Sequence, residues 1–299
     1  MQQTNPKFLN QNPDETTIAN EINCIEYSAV VHDRRIAGLT NNNVGKPLII
    51  CLHGYLDNAA SFLPLFPHFT DYHVIAIDLA GHGKSDHRAG QSLYHLTDYV
   101  YELYEFIHHQ GFKDIVLMGH SFGAILSSIF TATYPELIKH FVSIEAIGPL
   151  SQPAETSVEQ LRNSFTSRYR LLESEHQQPK DFESLVEHRH RATGLSKENA
   201  SGILQRNTKV ENGKLLWSSD RALRTKSSLR FTPEQAQNIL HNIGCPTTVI
   251  LGSEGHKEYK EHIDKLPIKN IFCAEAKGGH HVHMDSPESV SHIILRRLT

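Results

Sequence analysis

The segment running from Asp114 to Pro135, DIVLMGHSFGAILSSIFTATYP, constrains the fold more than any other part of this chain. Ile115 to Met118 form an apolar run of strand length. Ala124, Ile125, Ile129 and Phe130 then recur at helical spacing until Pro135 ends the helix. Between strand and helix, Gly119-His120-Ser121-Phe122-Gly123 must turn the chain sharply. A serine at the apex of such a turn takes a strained backbone conformation, and its hydroxyl stands clear of the sheet at a helix N-terminus. The spacing G-x-S-x-G therefore makes Ser121 a candidate nucleophile, with glycines where strand and helix pass too closely for side chains.

The rest of the chain repeats the strand pattern. Leu48-Ile49-Ile50-Cys51-Leu52, Val74-Ile75-Ala76-Ile77, His140 to Ile144, Thr247 to Leu251 and Ile271 to Ala274 are short runs, mostly apolar. Unbroken apolar runs of this kind suit strands buried on both faces of a parallel sheet. Tyr99, Val100, Leu103, Phe106 and Ile107 mark a helix that ends at Gly111, a residue suited to the left-handed C′ position. Cys24 to Val31 and Arg35 to Leu39, split by His32-Asp33-Arg34, predict an antiparallel hairpin at the start of the domain. Asp78-Leu79-Ala80-Gly81-His82-Gly83-Lys84-Ser85 lacks the glycine spacing of a phosphate loop and reads as a structural turn. Asp57, before Asn58-Ala59-Ala60, reads as a helix N-cap, and His53 as a residue that holds its loop in shape.

Composition excludes several classes. The chain has 299 residues, 39% hydrophobic and 21% charged, enough for one large domain or a domain carrying an insertion. A formal charge of -4 gives no general attraction to nucleic acid or to an anionic membrane. Cys24, Cys51, Cys245 and Cys273 show no paired spacing and read as free thiols. Residues 1–20 are polar, rich in Asn and Gln, and contain no apolar leader or membrane span, so a loose N-terminal tail and a cytoplasmic location are expected.

HGYLDN, then DLAGHGKSD, then GHSFGA, in this order, resemble the alpha/beta-hydrolase superfamily. HGYLDN, WSSDRALR and the ending GGHHVHMDSPESV resemble its serine hydrolase-like branch. The resemblance implies a mostly parallel eight-stranded sheet with helices on both faces and a mainly helical cap inserted after strand six. The core would be 21–147 and 232–299, the cap 148–231. Val158, Leu161, Phe165, Tyr169 and Leu172 would line one face of a first cap helix, and Phe182, Leu185 and Val186 would begin another. Asn212-Gly213 predicts a hairpin, and Thr232-Pro233-Glu234-Gln235 a capping box that returns the chain to the core. The many Arg, His and Gln residues of the insertion, His188-Arg189-His190 among them, read as solvated surface.

The resemblance also assigns roles at the site. Backbone N–H groups of Tyr55 and Phe122 would form an oxyanion hole. The family pattern of Gly-His, six residues, then Pro selects His280 rather than His281 as base. His280, His281 and His283 lack a His-Glu-x-x-His helix, and no metal is expected there. In most of the superfamily the acid is an Asp three residues past the glycine that follows strand seven. Here Leu251-Gly252-Ser253-Glu254-Gly255 puts Gly255 at that place. Two carboxylates stand in for it: Glu145, directly after an apolar strand and the preferred choice, and Glu254, in a polar loop.

With these parts the expected reaction is attack of Ser121 on an acyl carbon, His280 acting as base and then acid, with no metal or organic cofactor. The expected substrate is a small-molecule carboxylic ester or thioester. Two other readings stay open at this level: hydrolysis of a carbon–carbon bond beside a ketone by the same triad, and a non-catalytic ligand receptor on the same fold. Neither a nucleic acid nor a membrane is expected as partner, and the oligomeric state is left open.

Overall fold

The apolar runs become strands and the amphipathic stretches become helices, in a computed structural model that describes residues 24–89, 92–256 and 266–298. The polar tail expected at 1–20 lies outside the described residues. β1 (Ile25–Val31) and β2 (Arg34–Thr40) pair antiparallel. β3 (Leu48–Leu52) follows, and then a ten-residue 3₁₀ segment, Ala59–His68, that contains Pro64 and Pro67. Next come β4 (His73–Ile77), α1 (Leu96–Gln110), β5 (Ile115–His120), α2 (Phe122–Thr133) and β6 (Ile138–Ile144). α1 stops at Gly111, which takes a left-handed conformation at φ 68°.

Between β6 and the return to the sheet lie α3 (Ser157–Glu173), α4 (Phe182–Thr193), α5 (Lys197–Asn207) and a two-stranded hairpin of β7 (Thr208–Glu211) and β8 (Lys214–Trp217). α6 (Pro233–His241) re-enters the core behind a capping box in which the Thr232 side chain accepts from the Gln235 N–H and the Gln235 side chain accepts from the Thr232 N–H. β9 (Thr247–Gly252), β10 (Ile271–Ala276), the short α7 (Val282–Asp285) and α8 (Pro287–Leu298) complete the described chain.

The sheet has eight strands in the order β1-β2-β4-β3-β5-β6-β9-β10. Every pairing from β4 to β10 is parallel, and only β1–β2 and β2–β4 are antiparallel. Side chains alternate between two buried layers. Ile50, Leu52, Ile75, Leu117 and Phe141 pack with α1, α2 and α6 on one face. Ile49, Cys51, Val74, Val116, Met118 and Val142 pack with the 3₁₀ segment and α8 on the other. Cys24, Cys51 and Cys245 are buried free thiols, whereas Cys273 is exposed because β10 is an edge strand.

One apolar stripe is left open to solvent, and one expectation needs correction. The apolar stripe of α3 faces outward: Val158, Phe165, Tyr169 and Leu172 are all exposed. The helix is held instead through its polar side, where Ser164 donates to the Lys226 carbonyl (2.9 Å) and Gln160 accepts from the Arg230 N–H (2.9 Å). Nor are all the arginines between β6 and α6 solvated. Arg206 is buried, with Nε 2.8 Å from Asp78, Nη1 2.8 Å from Glu26 and Nη2 donating to the Gly38 carbonyl. That buried pair fastens α5 to the sheet edge.

Asp78 also accepts from the N–H groups of Ala59 and Lys84, and Ser85 bridges the Asp78 carbonyl and the Ala37 N–H. The glycine-rich stretch 78–85 is thus a turn organised around a carboxylate.

Candidate active site

Register alone brings three strand ends together. Gly119 lies opposite Ser143 and His120 opposite Ile144, while Ile144 lies opposite Ile250. Two backbone bonds continue these ladders past the strands, Ser121 N–H to Ile144 O and Glu145 N–H to Ile250 O. Ser121, Glu145 and Gly252 therefore emerge side by side at the carboxyl edge of the sheet.

Both Ser121 (φ 50°) and Glu145 (φ 59°) occupy the left-handed region, which costs a non-glycine residue on the order of 1–3 kcal/mol. The turn at Ser121 is tight enough that a Cβ on Gly123 would come within 1.9 Å of the Leu52 carbonyl oxygen. Only glycine lets α2 approach β3 so closely.

His280, on the loop after β10, completes the alignment. Its Nε2 lies 2.9 Å from the Ser121 hydroxyl and its Nδ1 3.2 Å from Glu145 Oε2. An ionised Glu145 fixes the tautomer: Nδ1–H donates to the carboxylate and Nε2 accepts from Ser121.

Glu145 is fully buried. Burial alone would raise its pKa. The hydrogen bonds from His280 and from the N–H groups of Gly252 (2.6 Å) and His256 (3.1 Å) outweigh that and hold it below the usual carboxylate range. Glu254 is exposed and contributes its backbone N–H to the Gly278 carbonyl.

The position that carries no side chain explains this arrangement. A Cβ on Gly255 would fall 2.1 Å from Glu145 Oε1. The carboxylate from the β6 end fills the space that a side chain at 255 would occupy.

The rings of Tyr55 and Phe122, the two residues expected to supply oxyanion donors, pack edge to face with their centroids 6.3 Å apart. The Tyr55 hydroxyl donates to the Leu223 carbonyl at 2.5 Å, reaching the short 3₁₀ turn Arg221–Arg224. His53 is buried, its Nε2 accepting from the Leu79 N–H and its Nδ1 donating to the Gly54 carbonyl.

Asp57 is not an N-cap. Asn58 caps the 3₁₀ segment by accepting from the Ala60 N–H, while the Asp57 carboxylate turns inward to Arg189 on α4 and to His281. Arg189 is accordingly not the exposed charge expected of His188-Arg189-His190. These contacts span 132 and 224 residues, so nothing local in the sequence announces them.

Two groups among the described residues bring metal-ligand atoms close together: Asp57, His120 and His281, and Glu145, His256 and His280. In both, the carboxylate oxygens already accept from protein donors. Among those residues no helix is long and apolar enough to cross a membrane.

Residues 47–287 match the model of the alpha/beta hydrolase fold family, most of the chain's length. The chain belongs to the alpha/beta-hydrolase family. It is similar to a serine hydrolase-like protein of Danio rerio, 26% identical over 84% of this chain and 80% of the relative. The serine hydrolase-like protein 2 of Homo sapiens is 28% identical over 83% and 85%.

Among solved structures, hypothetical protein PA1622 from Pseudomonas aeruginosa superposes with a TM-score of 0.82 at 29% identity, covering 91% of this chain and 97% of that one. A thioesterase domain from the curacin biosynthetic pathway gives 0.80 at 25% identity, covering 91% and 99%. Family and relatives together make this chain a hydrolase of the alpha/beta class.

Proposed function

We propose that this chain is a serine hydrolase that cleaves a carboxylic ester or thioester through an acyl-enzyme on Ser121. The observation that carries this reading is the chain of contacts Ser121 Oγ, His280 Nε2 at 2.9 Å, His280 Nδ1, Glu145 Oε2 at 3.2 Å. Nucleophile, base and orienting acid stand within hydrogen-bond reach in the order acyl transfer requires.

His280 withdraws the hydroxyl proton as Ser121 attacks the acyl carbon, and Glu145 stabilises the imidazolium. The oxyanion is held by the N–H groups of Tyr55 and Phe122, the latter at the N-terminus of α2, where the helix dipole favours negative charge. His280 then protonates the departing alcohol or thiol. In the second half it activates water against the acyl-enzyme, returning Ser121 and releasing the acid. Segment 148–231 acts as the cap over this site, with Leu223 seated on the Tyr55 hydroxyl. The thioesterase domain among the structural neighbours supports acyl transfer as the chemistry.

Reaction with a fluorophosphonate probe, followed by p-nitrophenyl esters of increasing chain length, tests the reading. Covalent labelling at Ser121 with ester turnover is expected, and Ser121→Ala should abolish both. Folded protein that takes up no label would instead mark a ligand receptor on a hydrolase scaffold. Labelling without ester turnover would point to cleavage of a carbon–carbon bond beside a ketone.

A further inference from the structure

We propose that Asp57 is a positioning residue that couples the seating of α4 to the alignment of Ser121 and His280. This rests on the reading of Ser121 as nucleophile and adds to it a fourth and fifth side chain, Asp57 and Arg189.

The Asp57 carboxylate is almost completely buried and lies where four segments meet. One oxygen accepts from Arg189 of α4, the other from His281 Nε2 at 3.1 Å. That second oxygen packs 3.8 Å from His120 Nδ1, a contact between ring and carboxylate with no hydrogen bond in it. His120, in turn, donates from Nε2 to the His280 carbonyl at 2.8 Å.

The partners are neighbours of the reacting groups in sequence. His120 precedes Ser121, His281 follows His280, and Asp57 stands two residues beyond Tyr55. One carboxylate, two positions beyond an oxyanion donor, thereby bonds to the loop that carries the base and packs against the residue before the nucleophile, without touching a reacting atom. The junction is close: a Cβ on Gly54 would come within 2.9 Å of His120 Nδ1 and 3.0 Å of Asp57 Oδ2.

Charge explains why α4 belongs to this junction. Burial alone would favour a neutral Asp57. His281 and Arg189 outweigh it and hold the carboxyl well below its usual pKa. Burial, reinforced by His283, His281 and His280, keeps His120 uncharged.

The guanidinium of Arg189 supplies the permanent positive charge facing Asp57. If α4 moves away, a buried anion loses that partner, an unfavourable change wherever charges are shielded from water. The His281 and His120 rings must then reorganise around it, and the His280 backbone moves with them. Displacements of about 1 Å at a catalytic group cost on the order of 100-fold in rate. A properly seated α4 is therefore a condition for an aligned base.

The test compares wild type with Asp57→Asn, Arg189→Met and Arg189→Lys. Three quantities are read: kcat and KM for p-nitrophenyl acetate, the rate constant for fluorophosphonate labelling per reactive site, and the thermal unfolding midpoint. Asp57→Asn and Arg189→Met should lower kcat and the per-site labelling constant together, about 10- to 100-fold, with KM within about threefold.

Arg189→Lys, which keeps the charge, should recover most of the loss. A merely structural contact would reduce the folded fraction and the labelling stoichiometry while leaving the per-site constant untouched, and that result overturns the proposal. Should Asp57→Asn not fold, the Arg189 pair decides alone: equal rates for Met and Lys, both within twofold of wild type, reject the coupling. A wild type that neither labels nor turns over ester defeats the serine-hydrolase reading itself, and this proposal with it.

Discussion

On the function proposed above, the carboxylate that orients the base comes from the end of β6, and its surroundings allow that role to be tested atom by atom. Glu145→Gln keeps the shape and removes the charge that fixes the imidazole tautomer. Turnover should fall by about two or more decades, whereas Glu254→Gln at an exposed position should stay within a few-fold of wild type. Steady-state kinetics on one p-nitrophenyl ester decides between them, and the reverse order of damage would reject Glu145.

Gly255 gives a sharper version of the test. Because its missing Cβ would fall 2.1 Å from Glu145 Oε1, Gly255→Ala should displace the acid and lower turnover. The double change Glu145→Ala with Gly255→Asp should recover part of what Glu145→Ala loses, since the new carboxylate occupies the space the old one vacates. No recovery would mean that the space above Gly255 is not equivalent to the Glu145 carboxylate position.

At the scale of elements, the segment between β6 and α6 is fastened to the rest of the molecule by buried ion pairs as well as by buried apolar residues such as Ala200, Ile203 and Leu204. Arg206 on α5 has a side chain only 6% exposed, and its partner Asp78 is buried. Replacing it by methionine strands the Asp78 charge. Stability should drop by about 3–5 kcal/mol, read as a lower urea midpoint. An unchanged midpoint would show that solvent, not Arg206, neutralises Asp78.

Thr232→Ala removes half of a capping box and should cost α6 about 1 kcal/mol. This box was legible in the sequence because both partners lie within four residues. The strands were legible for a similar reason: a run such as Leu48–Leu52 declares its burial on both faces without reference to any partner. Arg189 and Arg206 were not legible, because an arginine that meets a carboxylate more than a hundred residues away has the same local pattern as one in water. Asp57 was misread as a cap for the same reason: the adjacent Asn58 takes that role, and no short-range signal distinguishes the two.

Over the whole molecule, buried histidines set the response to acid. Burial first of all drives His53 down to about 4, and His82 and His283 to about 3, from an ordinary value near 6.5. Below pH 6.5 the unfolded chain takes up protons that the folded chain refuses. The stability these groups contribute is therefore fully present above about pH 6.5 and is lost as the pH falls towards 4, at about 1.4 kcal/mol per pH unit for each histidine. Glu145, whose folded pKa is lowered, adds a loss only at still lower pH, beneath the unfolded carboxylate value.

Urea midpoints measured from pH 7 to pH 4.5 should fall steeply, and a flat profile would contradict the burial of these rings as neutral groups. The sheet order has a further consequence for how kin of this chain can be found. β6 and β9 are adjacent parallel strands, and a Cβ at Gly255 would fall 2.1 Å from Glu145 Oε1, so on the proposed function the two tips converge on one space for an acid beside the His280 imidazole. A one-dimensional pattern that demands aspartate after the penultimate strand would discard this protein. A search that asks which neighbouring tip supplies the anion would retain it.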